Sequence, residues 1–440
     1  MFDGVRITNE RLISASGLAI VGLILKNTRL KKRLNANRLK DNAMPQIKNG
    51  DVVGAYVGLL CQGKNDFDAI REMSADPEFY KLALNLDAIP SSETLRQRMD
   101  LAGGNWRSII LEENIRMLVA LHTTFTPCFG MKYIPLDIDV SPFDNSNTKK
   151  QGIGWTYKGF DGYAPIFAYL GNEGYLVNLE LRNGSDHCQK NTVSFLKETI
   201  LQARQLTTAP ILSRLDSGND AIENIIVFYQ PETLSEFIIK RNLRRESIEG
   251  WWELAKKEGQ MFQARDGKKV YIGSVYREIP ELERKVRIVY EVIERASKDD
   301  GQLFLVPDIE VNTWWTSLEE PEKTIIELYH DHGQSEQYHS ELKTDMDLER
   351  LPSGKFQTNQ LVLELAMIAY NILRLIGQQS LKQNDAPMRR EAGRRRIRTV
   401  IQNLILIASR VVTHARKKYL NLGCSNAWIP PFKRIYEAFE

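Results

Sequence analysis

Two aspartates share a short apolar stretch in the first half of the chain. Asp137 and Asp139 stand two residues apart in the sequence YIPLDIDVSPF. If this stretch is a β-strand, both side chains point to the same face of the sheet, because side chains alternate along a strand. A carboxylate on a buried face is costly unless a cation or a metal ion compensates it. The stretch is therefore a candidate metal-binding strand, and the alternative is a strand whose polar face is simply solvated.

A third aspartate follows a second apolar stretch. Asp216 ends the run APILSRLD, and the residues SGND after it predict a turn. An acid in this position is often a plain cap or turn residue, so Asp216 alone indicates little. If its strand lies beside the first strand in a mixed sheet, however, the carboxylates of the two strands come close together.

Four polar residues recur at helical spacing farther along the chain. Tyr329, His332, Glu336 and Lys343 are separated by three, four and seven residues. At ~100° per residue, these positions fall within roughly 60° of arc on one helix face. The face would hold a phenol, an imidazole, a carboxylate and an ammonium group. Taken alone, it could equally be a solvated face with ordinary ion pairs.

Two strand carboxylates and one helix carboxylate together are suited to phosphoryl transfer. Carboxylate oxygens are hard ligands for Mg²⁺, and two ions ~3.5–4 Å apart can activate the attacking oxygen and stabilise the leaving oxygen. Basic neighbours on the same helix face could hold a phosphate in line. A zinc hydrolase is disfavoured, because His330 and His332 stand two residues apart and would point in different directions on a helix.

The elements that would position these residues follow from the periodicity of the sequence. Residues 1–125 predict a helical DNA-binding domain with a basic side, in which the segment Pro90–Thr94 offers a serine N-cap ahead of a helix. From Tyr133 the pattern changes to three strands, then helix, strand, helix and strand. This order predicts an α/β fold with a mixed sheet, the first part of the core, over residues 126–242.

The second half of the chain predicts three further regions. Strands without helical partners indicate a β-rich insertion over residues 243–318, and helices then complete the core over residues 319–380. Residues 381–440 predict a basic helical C-terminal region. The apolar stripe of its long helix consists of Ile397, Ile401, Leu404, Ala408, Val411 and Ala415.

Four tryptophans fall within the predicted insertion: Trp251, Trp252, Trp314 and Trp315. Pairs of indoles in a β-rich region most often pack in the core or against a hairpin. The alternative is that an indole stacks on an unpaired base of a nucleic acid.

The composition is that of a folded protein with an uneven distribution of charge. The 440 residues are 42% hydrophobic and 26% charged, and the formal net charge is +3, which argues against a disordered chain. Basic runs at residues 26–40 and 389–398 flank an acidic stretch at residues 299–349. One basic run alone is often a solvated face, but two such runs favour a nucleic-acid partner.

Several classes of protein are disfavoured by what the sequence lacks. The four cysteines form no close pair, which argues against a disulfide scaffold or a zinc ribbon. No stretch reaches the ~18 uninterrupted apolar residues of a membrane span, and no glycine-rich phosphate loop is found. We expect a cytoplasmic protein with no membrane partner.

Three motifs together resemble those of the DDE transposases of bacterial insertion sequences. They are D-x-S at Asp139, R-x-D-S-G around Asp216, and Y-x2-H-x3-E-x6-K from Tyr329 to Lys343. More narrowly, they resemble the branch with a β-rich insertion before the last acid and the signature Y-x2-R-x3-E-x6-K. The resemblance covers nearly the whole chain. Its departure is His332, where this family usually has Arg.

The resemblance implies an RNase H-like core in which three acids bind two Mg²⁺ or Mn²⁺ ions. It makes Asp139, Asp216 and Glu336 the catalytic metal ligands, and it favours Asp139 over Asp137 because Ser141 follows Asp139 at the spacing of the family. Six residues are expected to contact DNA phosphates, three from the motif and three from the second basic run: Tyr329, His332, Lys343, Arg394, Arg395 and Arg398.

The function that the resemblance implies is cut-and-paste transposition. The protein would bind the terminal inverted repeats of its own element, cut the double-stranded DNA there and join the ends to target DNA. Pairing of two ends implies a homodimer on the DNA. Two alternatives remain open. A transposase-derived DNA-binding protein would need no set of metal ligands, and a standalone RNase H-like nuclease would not need the flanking DNA-binding regions.

Overall fold

The N-terminal part of the protein is helical, as predicted. A computed structural model describes residues 3–40, 44–297, 303–388 and 391–440. The predicted N-cap is confirmed, because the Ser91 hydroxyl accepts a hydrogen bond from the Thr94 N–H at 3.1 Å. The elements are β1 (Leu12–Ile13), α1 (Leu18–Lys26), α2 (Leu30–Ala36), α3 (Asn49–Leu60), α4 (Pro77–Ala83), α5 (Ser92–Ala102) and α6 (Arg107–Ala120).

The predicted mixed α/β sheet is present in the middle of the chain. Its central strand, β2, pairs antiparallel with β6, and β6 pairs antiparallel with β7, whereas β2, β8 and β9 run parallel. A small separate sheet has the order β3-β5-β4. The elements are β2 (Ile134–Val140), β3 (Phe143–Asp144), β4 (Gly154–Trp155), β5 (Asp161–Tyr163), β6 (Ile166–Leu170), β7 (Tyr175–Glu180), α7 (Thr192–Arg204), β8 (Ile211–Leu215), α8 (Ile222–Tyr229) and β9 (Glu236–Lys240).

The strands predicted between residues 243 and 318 are also present. The elements are α9 (Ile248–Glu258), β10 (Gln260–Arg265), β11 (Lys268–Ile279), β12 (Arg284–Ser297) and β13 (Leu303–Thr316). The sequence did not predict α9. Because β13 pairs antiparallel with β9, these strands extend the central sheet to the order β10-β11-β12-β13-β9-β8-β2-β6-β7.

A series of helical segments follows the sheet. They are α10 (Glu322–His330), α11 (Ser335–Ser340) and α12 (Phe356–Gln379). A 3₁₀ turn, Asp331–Gln334, joins α10 to α11, and a π turn, Glu341–Asp345, follows α11. The regular helix predicted for the third motif is therefore interrupted twice. Helix α12 is long and apolar enough to cross a membrane, but its apolar window is wholly buried inside the protein, as in a core helix.

The long basic helix predicted near the C-terminus is wrong. The helical part is short, since α13 (Ile397–Val400) is followed by a π turn at Ile401–Ile405. A β-hairpin of β14 (Ser409–His414) and β15 (Lys417–Leu422) comes next, and α14 (Ile429–Phe439) ends the chain. A run of β-branched residues in β14 favours a strand over a helix. Two residues of the second basic run, Arg389 and Arg390, lie outside the described residues.

The central sheet lies between two apolar cores. One core includes Phe167 of β6 together with residues of the N-terminal helices, α12 and the C-terminal segment. The other includes Ile138 of β2 with Phe195 of α7 and Phe228 of α8. Strand β2 is consequently buried, and the alternative of a solvated polar face for this strand is wrong.

Candidate active site

The carboxylates of Asp139 and Asp216 meet at the ends of two parallel strands. Ile138 of β2 is in register with Leu215 of β8, so the residue that follows each of them, Asp139 or Asp216, lies beside the other. Burial, and after it the negative charge of Asp139, raises the pKa of Asp216 to about 6. Negative charge is thus concentrated where the two strands end.

Each of these two aspartates is held by its own set of contacts. One oxygen of Asp139 accepts a hydrogen bond from the Val140 N–H at 2.7 Å, and the other lies 3.1 Å from Nε2 of His339. Burial opposes ionisation of Asp139, but the hydrogen bond and the charge of His339 outweigh it and lower the pKa. Asp216 accepts a hydrogen bond from the Asn219 amide at 2.6 Å. Both carboxylates are therefore fixed in orientation.

The third predicted acid lies on α11 and faces the same cleft. Glu336 is exposed, and it lines a cleft of about 700 Å³ together with Asp139 and Asp216. The cleft is also lined by the three motif residues that the sequence assigned to phosphate contacts, which are Tyr329, His332 and Lys343. The six predicted site residues of the motifs are thus brought together at one place.

Helix α11 is held against the sheet by a buried aromatic ring. The Tyr338 hydroxyl donates a hydrogen bond to the Asn172 carbonyl at 2.9 Å, and the ring packs on the turn between β6 and β7. Gly174 in this turn has φ +71°, and a Cβ there would stand 2.4 Å from the ring. A residue without a side chain is therefore needed for the close approach that places Glu336 over the cleft.

Asp137 has a different environment from Asp139. It is buried, and its two oxygens bind Nε and Nη2 of Arg214 at 2.6 and 2.8 Å. Nδ1 of His332 lies 2.9 Å from one of these oxygens. Arg214 also donates to Asp331 at 2.9 Å. Asp137 is thus paired with a buried arginine, and unlike Asp139 it does not line the cleft. The assignment of Asp139, rather than Asp137, as the metal ligand of β2 stays a prediction.

The surroundings of His332 and Lys343 shift the pKa values of these two residues in opposite directions. Burial of His332 lowers its pKa, but the charge of Asp137 and the hydrogen bond to it outweigh burial, so the pKa is raised overall. For Lys343, burial lowers the pKa, and its ammonium group donates to the Pro142 carbonyl at 2.6 Å. The imidazole is thereby favoured as a cation, and the lysine is fixed beside the end of β2.

The three arginines of the second basic run are engaged within the protein. Arg394 binds Glu341 at 2.6 Å, and Arg398 lies 3.3 Å from Asp345. Arg395 is buried, and its Nε donates to the Ser380 hydroxyl at 3.1 Å. None of the three lines the cleft of the acids, although Arg394 lines an adjoining cavity that Glu336 also borders. Their contact with DNA phosphates stays a prediction.

Two residues of the site had no role in the sequence analysis. Arg214, which binds Asp137, stands two residues before Asp216 in the motif R-x-D-S-G. His339, which contacts Asp139, follows Glu336 by three residues and belongs to the cluster of histidines in that part of the chain. The position of each was visible in the sequence, but its partner was not.

The chemistry of the donors at this site fits divalent metal ions. Burial, and after it the charge of the adjacent Asp139, raises the pKa of Asp216, and a hard cation would relieve this repulsion. Among the described residues, no three acidic, histidine or cysteine side chains are close enough to hold one ion together. Glu336 is exposed and lines the same cleft as the two aspartates, so its side chain would have to move toward them to share a metal ion.

One comparison with known protein families agrees with the motifs of the site. The sequence model of the family described as "Transposase DDE domain group 1" matches residues 3–440. No curated protein matches the chain. Among solved structures, the cryo-EM structure of a piggyBac transposase synaptic complex with hairpin DNA is similar at 9% identity and a TM-score of 0.43. The match covers 89% of this chain and 80% of that one.

Proposed function

Because the chain belongs to the transposase DDE domain group 1 family, we propose that it binds the terminal inverted repeats of its own mobile element and moves that element by cutting and rejoining DNA. The observation that carries this proposal is the meeting of Asp139 and Asp216 in a cleft that Glu336 also lines. Three carboxylates at one cleft suit an enzyme that transfers phosphoryl groups.

The five strands that carry the site would form an RNase H-like core. Their order is β7-β6-β2-β8-β9, with an antiparallel meander on one side of β2 and two parallel strands on the other. The catalytic aspartates stand at the ends of the two neighbouring parallel strands, where side chains from different strands converge. The strands β10 to β13 would then be the insertion that precedes the last acid.

The three acids would hold two Mg²⁺ or Mn²⁺ ions. When bound, such ions supply an activated attacking oxygen and stabilise the charge on the leaving oxygen. His339 keeps Asp139 ionised and oriented through a hydrogen bond of 3.1 Å, and Asn219 orients Asp216 through one of 2.6 Å. These supporting contacts would fix the ligands before DNA arrives, which lowers the cost of ordering them.

The motif residues around the acids would position the phosphate. Asp137 occupies Nδ1 of His332, so Nε2 is the ring nitrogen that is left to bind a phosphate in the cleft. A protonated imidazole forms a charge-assisted hydrogen bond with phosphate. Lys343 and Tyr329 line the same cleft and would add an ammonium group and a phenol to the phosphate site.

The partner of this site would be double-stranded DNA, first at the ends of the element and then at the target. Pairing of two ends would make the protein a homodimer on DNA, acting in the bacterial cytoplasm. A DNA-binding protein without cleavage is the weaker alternative, because it would gain nothing from placing Asp216 where burial, and then the charge of Asp139, raises its pKa. A standalone nuclease is the other alternative, and it would cut DNA without requiring the specific ends of an element.

The test is cleavage of labelled duplexes from the ends of the element by the full chain with Mg²⁺, followed by mapping of the strand ends. We expect cuts at the element boundary and joining to a second duplex. Asp139→Asn, Asp216→Asn and Glu336→Gln should each abolish cleavage and keep DNA binding. Glu349→Gln is the matched control, since this carboxylate lines the same cleft outside the motifs.

Three results would contradict the proposal, each in a different way. Binding of the ends without any cleavage by the wild type would favour the DNA-binding alternative. Cleavage without preference for the element ends would favour the nuclease. Unchanged cleavage by the three acid variants would show that the reaction takes place elsewhere in the protein.

A further inference from the structure

A tight turn at the rim of the cleft carries exposed aromatic residues. Between β4 and β5, the Thr156 N–H donates to the Phe160 carbonyl at 2.9 Å, and the Gly159 N–H donates to the Thr156 carbonyl at 3.0 Å. Gly159 has φ +82°, the left-handed conformation that closes such a turn. Tyr157 and Lys158 therefore occupy its tip.

The aromatic side chains of this turn are unusual in their exposure. Tyr157 is 66% exposed, and Trp155 just before it is 65% exposed. By contrast, Trp251 of α9 and Trp314 and Trp315 of β13 are buried, so the alternative that these three stack on a base is wrong. The fourth, Trp252, lies beneath the Lys256 ammonium group at 3.7 Å. Large exposed rings in a group mark a contact surface.

Tyr157 reaches from the turn into the catalytic cleft. Its hydroxyl donates to the Val140 carbonyl at 3.0 Å, and Val140 is the residue after Asp139. Burial of the hydroxyl, and then the negative charges of Asp139, Asp216 and Glu336, raise the pKa of Tyr157. The phenol end is thus anchored beside the acids, while most of the ring remains open to solvent.

The charge around this ring suits a nucleotide. The Lys158 ammonium group lies 5.6 Å from the centre of the Tyr157 ring, and both residues line the cleft with Lys343. When a ring and an ammonium group lie side by side, a base can stack on the ring while its phosphate binds the ammonium group. A base inside an intact duplex is stacked on both faces by its neighbours, so away from a duplex end a fixed ring at the rim can accept only a base that has left the stack.

We propose that Tyr157 is a stacking site for an unpaired nucleobase of the DNA strand in the cleft, with Lys158 on its phosphate and Trp155 as a second ring of the same turn. The inference rests on the proposed function for the identity of the ligand as DNA. It adds that the bound DNA is locally unpaired beside the acids. Stacking on an aromatic ring tolerates any base, so the site would read pairing rather than sequence.

The test measures binding without cleavage, so that its outcome does not depend on the reaction. The full chain in EDTA is titrated with two duplexes of the same end sequence, one fully paired and one with a few unpaired nucleotides at the end. A 2-aminopurine in the unpaired segment reports stacking by loss of its fluorescence. We expect the wild type to prefer the unpaired DNA by about 5- to 100-fold and to quench the probe.

The variants separate the ring from its hydroxyl and from the fold. Tyr157→Ala should lose the preference and the quenching, whereas Tyr157→Phe keeps the ring and should keep both. Tyr276→Ala is the matched control, because this tyrosine is 55% exposed on β11 and lies outside the lining of the cleft. Unchanged midpoints of thermal unfolding would show that the variants fold.

Several outcomes would overturn the inference. The wild type could bind the two duplexes equally, or Tyr157→Ala could still quench the probe. The wild type could also form a concentration-dependent dimer without DNA that Tyr157→Ala does not form. The last result would assign the exposed rings to a second copy of the chain. If instead the pairing preference depends on Tyr157 but the wild type never cuts element ends, the stacking site stands and the proposed transposition fails.

Discussion

His332 and Asp137 form a buried pair at the back of the cleft, with Nδ1 of the imidazole 2.9 Å from a carboxylate oxygen. Arg214 binds both oxygens of the same carboxylate, and it also binds Asp331. Two acids and two cations are therefore linked in one network. The carboxylate fixes the orientation of the ring and favours its charged form. The DDE transposases that this chain resembles usually have Arg at this position, and a histidine held in this way can take its place.

The first prediction concerns the stability of this network. Asp137→Asn should lower the free energy of unfolding by about 3–5 kcal/mol, because it leaves the buried Arg214 without its main counter-charge. Asp139→Asn should cost much less, since it removes one of two repelling carboxylates. Urea unfolding of both variants in EDTA measures the difference. Equal losses would show that Asp137 is not the structural member of the pair.

The second prediction concerns the pH dependence of cleavage through His332. Its pKa is raised above the ordinary value of ~6.5, so the charged form persists at higher pH and is lost as pH rises through the raised pKa. Cleavage by the wild type should fall over that range. His332→Arg stays charged and should lack this fall, whereas His332→Ala should match the wild type at high pH.

Rates of cleavage by the three forms across the range from mildly acidic to alkaline pH decide this point. Parallel profiles for the wild type and His332→Arg would make the histidine a packing residue. The same shift has a consequence for folding. The stabilisation from protonated His332 is fully present below its unfolded pKa and is lost as pH rises through the raised folded pKa.

The strand pattern was enough to predict where Asp139 and Asp216 meet. Alternation along β2 and the convergence of neighbouring strand ends are local rules, and a short stretch of sequence carries them. The pairing of Asp137 with Arg214 was beyond these rules, because the two residues stand 77 positions apart. Their contact depends on the parallel register of β2 with β8, which no single stretch encodes.

The C-terminal hairpin was missed for a different reason. The two residues between β14 and β15 are Ala415 and Arg416, both left-handed, with φ +48° and +65°. Turns of this kind usually contain Asn or Gly, so nothing in the sequence marked a turn. Apolar residues at three-and-four spacing meanwhile imitated a helix. The β-branched run from Val411 to Thr413 was the remaining signal for a strand.

The third prediction concerns Arg394, which joins the C-terminal segment to the π turn that follows α11. Arg394 shares the buried Glu341 with Arg374, so its guanidinium group is not free. Arg394→Ala should lower the free energy of unfolding by about 1–3 kcal/mol, the range for a charged hydrogen bond. Because Glu341 already engages this guanidinium group, the dependence of DNA affinity on salt should stay close to that of the wild type, in contrast to the phosphate contact that the sequence predicts for Arg394.

An exposed lysine of the first basic run provides the control for Arg394. Lys32→Ala should leave stability unchanged, and it should flatten the slope of log K against log salt by about 0.9 if this lysine neutralises a phosphate. Unfolding in urea and titrations with duplex DNA at several salt concentrations measure both quantities. An Arg394→Ala variant with full stability and a flatter slope would mean that Arg394 leaves Glu341 to bind DNA.

The final prediction links metal binding to the protonation of Asp216. Its pKa is raised to about 6, whereas that of Asp139 is lowered, so a proton on Asp216 is the main competitor of a cation near neutral pH. The rise in the midpoint of thermal unfolding on adding Mn²⁺ should therefore grow as pH increases from about 5 to about 7.

Without metal, the contribution of Asp216 to stability should fall as pH rises over the same range. A carboxyl group whose pKa is higher in the folded protein than in the unfolded chain loses stabilisation when it ionises. Asp216→Asn should be more stable than the wild type in EDTA at neutral pH and should gain nothing from Mn²⁺. Glu349→Gln should respond to Mn²⁺ as the wild type does. A rise of equal size for Asp216→Asn and the wild type would place the cation away from this aspartate.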